Sequence, residues 1–200
     1  MASAPGYVLP TGWSLPGSAS TDAATTLTCR LVPKSGQRFT LHLSGSLHHA
    51  WAGRLAAGLG ARHVSVVRAT ARRGSTRWTA EIDIDVPAGV AAPSAVDFVA
   101  LMKEHRDPAS AEPVELAGWR VQATRTDVEV EIRAADSVGF LGRILLVFAA
   151  LGLFPRAMRV DTVGSAVRDV FLLQGISGEA PPEGVVSLLR KRLAALAPQD

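Results

Sequence analysis

Residues 127–151, which read DVEVEIRAADSVGFLGRILLVFAAL, decide the fold of this chain. Apolar residues alternate with charged ones over 127–134, and this period of two predicts a strand with one buried face. A turn follows at 136–139 and ends in glycine. From Phe140 to Leu151 the apolar residues recur at the spacing of one helix face. The stretch therefore predicts a strand, a tight turn and an amphipathic helix that covers the strand.

The same order of elements occurs twice along the chain. After the deciding stretch, 153–162 and 166–176 read as a β-hairpin, and 185–196 reads as a second amphipathic helix. The first half shows matching patterns: strand-like 40–44, helical 47–59, a strand pair at 63–72 and 79–86, a weaker helix at 93–105 and a strand at 114–123. Helix-ending Gly60 and Gly152 are 92 residues apart, and turn residues Gly74 and Gly164 are 90 apart. These spacings predict two diverged copies of a unit of about 90 residues.

A strand–helix–strand–strand–helix–strand unit is the ferredoxin-like sandwich, with two helices on one face of an antiparallel sheet. We therefore predict an α+β protein made of two such units. The predicted organisation is a flexible leader at 1–24, a degenerate first unit with an extra N-terminal strand at 25–125, and a second unit at 126–200.

The second unit lacks residues for its final strand, since its last predicted helix ends near Leu196. Two strand-like segments are available to close the two sheets, at 26–32 and 114–123. We predict that the N-terminal segment completes one sheet and that one of these strands serves the other repeat. Under this prediction the two units do not fold independently.

Composition narrows the class of protein. The chain has 200 residues, 48% of them hydrophobic and 20% charged, which is typical of a globular protein rather than a disordered one. The formal net charge is only +3, without the clustered excess of cations expected of a nucleic-acid binder. The longest apolar run, 140–154, is interrupted by Arg143 and is shorter than the ~20 residues of a spanning helix. We expect a cytoplasmic protein with no nucleic-acid or membrane partner.

The side chains that commonly carry chemistry do not form a recognisable catalytic motif. Cys29 is the single cysteine, which excludes an intrachain disulfide and a metal site of several cysteines, and no base lies near it in sequence. His48 and His49 are adjacent, so on a helix they would point in different directions rather than face one metal ion. Four arginines between residues 68 and 77 are expected to pair with the acidic residues of the strand that follows. We predict no catalytic residue, no metal and no cofactor.

The second half resembles an ACT domain, the small ferredoxin-like regulatory module of amino-acid metabolism. The family pattern Asp-Arg-Pro-Gly-Leu-Leu, between first strand and first helix, is matched here by Asp136-Ser137-Val138-Gly139-Phe140-Leu141. Further similarities lie at 149–153, 161–164 and 167–171, and the last two are similar to the C-terminal ACT pair of the bacterial PII uridylyltransferase. In the first half, Ser44-Gly45-Ser46-Leu47 stands in place of the motif, so that copy is degenerate.

The resemblance implies a ligand site at this turn. In the family, the turn and the edge of the second strand of a neighbouring unit form an amino-acid pocket. Independently, backbone N–H groups at a helix N-terminus suit a carboxylate, and Gly139 allows close approach to the backbone. The candidate ligand-binding residues are Asp136, Ser137, Val138, Gly139, Phe140 and Leu141.

Two functions are consistent with the sequence. The first is a non-catalytic regulatory protein, a homodimer, that binds a small amino acid and modulates a partner protein allosterically. The alternative is an ACT-type interaction or dimerisation module that has lost ligand binding. Ser137 and Val138 replace the Arg and Pro of the family pattern, and this replacement favours the alternative.

Overall fold

A computed structural model describes residues 27–74, 77–88, 96–103, 114–163 and 165–198, so the predicted leader lies outside the described residues. It confirms the α+β class, with eight strands and four helices in these residues. The strands are β1 (Thr28–Pro33), β2 (Arg38–Gly45), β3 (Ser65–Arg73), β4 (Trp78–Asp85), β5 (Leu116–Ala123), β6 (Val128–Ala135), β7 (Leu153–Val163) and β8 (Ala166–Gly175). The helices are α1 (Trp51–Gly60), α2 (Phe98–Lys103), α3 (Phe140–Ala150) and α4 (Glu183–Ala194).

All eight strands form one antiparallel sheet in the order β1-β2-β4-β3-β7-β8-β6-β5. The two halves of the sheet are joined at β3 and β7, where Arg68–Thr70 pair with Ala157–Arg159. We expected two sheets, and this pairing merges them into one. The joint is short, since it consists of three residue pairs.

The strands at the two ends of the sheet are placed by hairpins. β1 pairs with β2, and β5 pairs with β6, each across a short connection. The segment 114–123, which the sequence placed in the first unit, thus completes the half of the sheet that contains β6, while the N-terminal strand completes the half that contains β2. Each half runs strand, strand, helix, strand, strand, helix, instead of the predicted order with a strand at its end.

The two halves correspond residue by residue through their middle portions. Irregularities in strand register occur between Val66 and Arg68 in the first half and between Pro155 and Ala157 in the second, 89 residues apart. At the same separation, residues 47–50 match the turn 136–139. The periodicity predicted a helix from Leu47, but α1 begins at Trp51 because the first four residues of the predicted helix, 47–50, form the matching turn.

Two matching glycines bring α1 and α3 together. A Cβ on Gly53 would lie 2.9 Å from Cγ of Leu146, and a Cβ on Gly142 would lie 2.7 Å from the backbone nitrogen of Ala57. Neither position has room for a side chain without movement of the neighbouring helix. This close contact lies above the joint between β3 and β7, where the two halves share a continuous apolar core.

The opposite face of the sheet carries ion pairs. Glu131 of β6 receives two hydrogen bonds from Arg168 of β8, at 3.1 and 3.2 Å, and one from Arg133 at 3.2 Å. These guanidinium groups hold the pKa of the Glu131 carboxyl below its usual value. Its neighbours along the strand, Val130 and Ile132, lie in the core, so β6 is apolar on one face and charged on the other, as its alternation predicts.

Candidate ligand-binding cleft

The turn between β6 and α3 has a fixed backbone geometry. Gly139 adopts φ 79°, in the left-handed region that favours glycine, and α3 begins directly after it. The N–H of Phe140 donates to the carbonyl of Ser137 at 3.0 Å, and the N–H of Asp136 donates to the carbonyl of Ser165 at 2.8 Å. No side chain caps the N-terminus of α3. Its first N–H groups therefore present a partial positive charge.

This turn forms one wall of a cleft of about 310 Å³. The structure places all six candidate residues, Asp136 to Leu141, on that wall. The opposite wall comes from the first half of the chain: Gly60 at the end of α1 and residues 63–66 at the start of β3. Val160, Val167 and Asp169 complete the lining from β7 and β8. The volume is at the lower end of the range for small-molecule sites, about 300–1,000 Å³.

Asp169 is the one fully buried acid of this lining, with no exposed surface. Neither of its carboxylate oxygens has a hydrogen-bond partner among the described residues. Burial raises the pKa of Asp169 to about 7, and the nearby carboxylates of Asp161 and Asp136 raise it further. The backbone N–H of Asp161 lowers this pKa, although its geometry does not meet that of a hydrogen bond. A buried acceptor without a partner is costly unless something outside the chain satisfies it.

Sequence reasoning missed Asp169 as a site residue, although a signal for it was present. In β8, Val167, Phe171 and Leu173 occupy alternate positions of the buried face, and Asp169 falls in the same series. A charged residue at an inward position of a strand is an exception to the pattern.

The cleft has no counterpart in the matching part of the first half. Asp169 lies opposite Val160 in the sheet, and the pair at the corresponding position is Ala80 and Ala71. There the space is taken by aromatic rings: the centroids of Trp78 and Phe154 are 3.9 Å apart, and Trp51 lies 5.7 Å from Phe154. The remaining void beside these rings is about 20 Å³. The two matching positions have thus diverged, one into a packed aromatic cluster and the other into an open cleft.

A second cleft of about 310 Å³ lies beside Arg72, Arg73 and Arg156. Two of these cations are already engaged. Arg156 pairs with Asp127 at 3.1 Å, and Arg73 donates to the carbonyl of Ile176 at 2.7 Å. No buried unsatisfied side-chain group of the described residues lines this cleft, so it is the weaker candidate.

The other residues singled out in the sequence lie outside this cleft and contact neighbouring residues of the fold. Cys29 lies half-buried on β1, and burial, with a smaller contribution from the carboxylate of Asp97, raises the pKa of its thiol to about 11, which disfavours the nucleophilic thiolate. His48 and His49 were expected to point in different directions on a helix, but they precede α1, and their rings lie against each other with centroids 4.0 Å apart and a tilt of 38°. Asp83, one of the acids expected to pair with the hairpin arginines, accepts hydrogen bonds from Lys34 at 2.8 Å and Thr40 at 2.7 Å, and the charge of Arg68 on the neighbouring strand adds to Lys34 in lowering its pKa.

The described part of the chain holds no group of three or more His, Cys, Asp or Glu side chains placed to bind a metal ion. None of its helices combines the length and the apolar character needed to cross a bilayer. Comparison with protein-family models and with curated proteins gave no match.

Proposed function

We propose that this chain is a tandem ACT-type regulatory protein that binds a small amino acid in the cleft between its two halves and modulates a partner protein. The observation that carries the proposal is the cleft itself, which joins the N-terminus of α3 to the buried, unsatisfied Asp169. Each half is proposed to be a ferredoxin-like unit. Its fourth strand is β1 in the first half and β5 in the second, and this strand precedes the other three in the sequence instead of following them.

The lining matches the parts of an amino acid. The partial positive charge at the N-terminus of α3 suits its carboxylate. The apolar side chains of Val66, Val160 and Val167 suit an aliphatic or small aromatic side chain. The cleft volume limits the ligand to a small molecule.

The proposed regulatory mechanism depends on the origin of the two walls of the cleft. One wall belongs to the second half and the other to the first, and the halves meet through a three-pair strand contact and the α1–α3 interface. A ligand that touches both walls binds best to one packing of the halves and raises its population. A partner that recognises the same packing is thereby coupled to the ligand.

The test is a thermal-shift panel of the twenty amino acids on the full chain. An amino acid at about 100 times its dissociation constant should add about 2.7 kcal/mol to the free energy of unfolding. For a chain of this size that corresponds to a rise of about 5–10 °C in Tm.

Two variants locate the binding. Ser65→Trp fills the cleft from an exposed position on β3, and Gly139→Asn places a side chain that tolerates positive φ where a Cβ meets nothing within 4 Å. Both should fold and lose the shift. Gly184→Asn, on the exposed side of α4, is the control and should keep it. If no amino acid shifts Tm, or if both cleft variants retain the shift, the proposal is wrong.

The edge strands of the sheet favour the alternative function, a dimerisation or interaction module that binds no ligand. β1 and β5 lie at the two ends, and each pairs on one side only within the described sheet. Free strand edges are templates for pairing with another copy. Light scattering over a concentration series tests it. A homodimer that persists in the Ser65→Trp variant, together with no response to any amino acid, would support this alternative over the first.

A further inference from the structure

We propose that Asp169 is the specificity-determining residue of the cleft: its carboxylate accepts hydrogen bonds from the ammonium group of the ligand, so that the site selects α-amino acids over carboxylates that lack the amino group. This inference rests on the proposed function and deepens it.

The fold itself does not require an acid at this position. The matching residue of the first half is Ala80, which is buried and apolar in an equivalent strand pair. Asp169 therefore occupies a place where the same architecture accepts a methyl group. A buried carboxylate without partners destabilises a protein, so its presence beside an open cleft points to a role in binding.

The hydrogen-bonding capacities of the two groups match. Neither oxygen of Asp169 makes a hydrogen bond to the described residues, although the backbone N–H of Asp161 lies near the carboxylate, and each oxygen can accept more than one hydrogen bond. An ammonium group brings three donors and a positive charge. A hydroxyl in the same place brings one donor and no charge, and it would leave part of the carboxylate unsatisfied.

The other charged groups around the cleft agree with a cation at Asp169. Asp161 on β7 and Asp136 in the turn add negative potential at this carboxylate. Asp161 is itself paired with Arg159 at 2.8 Å. On α3, Arg143 donates to the hydroxyl of Ser137 at 3.0 Å, and His63 lies on the opposite wall. The cleft therefore presents both charges to a ligand: the carboxylate of Asp169, to whose negative potential Asp161 and Asp136 add, and the partial positive charge of the backbone N–H groups at the start of α3.

The pH dependence of binding follows from the ionisation of Asp169. Its pKa of about 7 in the empty cleft means that the carboxylate is partly protonated near neutral pH. Because an ammonium ligand needs the ionised form, the association constant should fall by about tenfold per pH unit below 7 and level off above it.

The experiment measures, by calorimetry, the affinity for three matched pairs of ligands: L-alanine and L-lactate, L-phenylalanine and L-phenyllactate, and L-aspartate and L-malate. The wild-type protein should prefer the amino member of the pair that fits by about a hundredfold or more. Asp169→Asn, of the same shape and neutral, should reduce that preference to a few-fold and abolish the pH dependence. Glu81→Gln removes an acid from an exposed position on β4 and should change neither.

Each outcome decides a different question. Equal binding of both members of every pair to the wild type overturns the role of Asp169 and leaves a carboxylate site. Binding of neither member of any pair, together with no Tm shift from any of the twenty amino acids, overturns the proposed function and this inference together. If Asp169→Asn does not fold, Asp169→Ala decides, because alanine is the residue that the matching strand pair holds at this position: an unchanged preference for the amino member overturns the inference.

Discussion

Replacing Asp169 by asparagine should remove the pH dependence of the free energy of unfolding that results from the ionisation of this carboxyl group. Burial raises its pKa from 3.8 to about 7, a difference of about three units. Each unit corresponds to about 1.4 kcal/mol, so the full effect is about 4 kcal/mol. Between about pH 4 and 7 the folded state holds a proton that the unfolded state has released. The stability contributed by this group is therefore complete below pH 4 and is lost as the pH rises through 7.

The variant has no such loss, because an amide does not ionise. Near pH 4 the buried carboxylic acid and the buried amide are both neutral and polar, so the two proteins should differ little in their free energy of unfolding. At about pH 8 the wild type carries the unpartnered charge, and Asp169→Asn should be more stable by up to about 4 kcal/mol. A gain of this kind is expected when a binding residue is held at the expense of stability.

Urea unfolding at a series of pH values measures the difference, with the fluorescence of buried Trp51 and Trp78 as the signal. Glu81→Gln is the control and should follow the wild type at every pH. In Asp161→Asn the loss of stability with rising pH should end at a lower pH than in the wild type, because the carboxylate of Asp161 contributes to the raised pKa of Asp169. A difference between Asp169→Asn and wild type that stays constant from pH 4 to 8 would refute the reasoning.

Two further predictions concern the architecture. Gly142→Val should lower the free energy of unfolding by about 1–3 kcal/mol or more, since its Cβ would lie 2.7 Å from the backbone of α1. Urea unfolding measures this. Gly184→Val is the control: nothing lies within 4 Å of its Cβ and valine is the better helix former, so it should not lower the free energy of unfolding. Deleting residues 1–33 removes β1, which forms six residue pairs with β2, and should lower Tm of the whole chain, whereas deleting 1–20 should leave it unchanged. An unchanged Tm in the longer deletion would show that β1 contributes nothing to the sheet.

The sequence by itself determined the secondary structure and its duplication. Strand β6 and helix α3 lie where the periods of two and 3.6 predicted them, because these periods record which side of each element is buried. The turn at 136–139 followed from its glycine, whose positive φ is a local property. The prediction of helix at residues 47–50 was wrong, since Leu47 continues the apolar stripe of α1 while its backbone belongs to the matching turn.

The tertiary structure alone decided the order of the strands and the existence of the cleft. Alternation shows which face of a strand is buried but not which strand lies beside it, so only the hydrogen bonds place β5 next to β6 and join β3 to β7. The cleft needs Gly60 and residues 63–66 to meet a turn that lies some 70 residues away along the chain. Asp169 looks like an ordinary strand acid until packing removes it from water without supplying a partner, because burial is a property of neighbours that are distant in sequence.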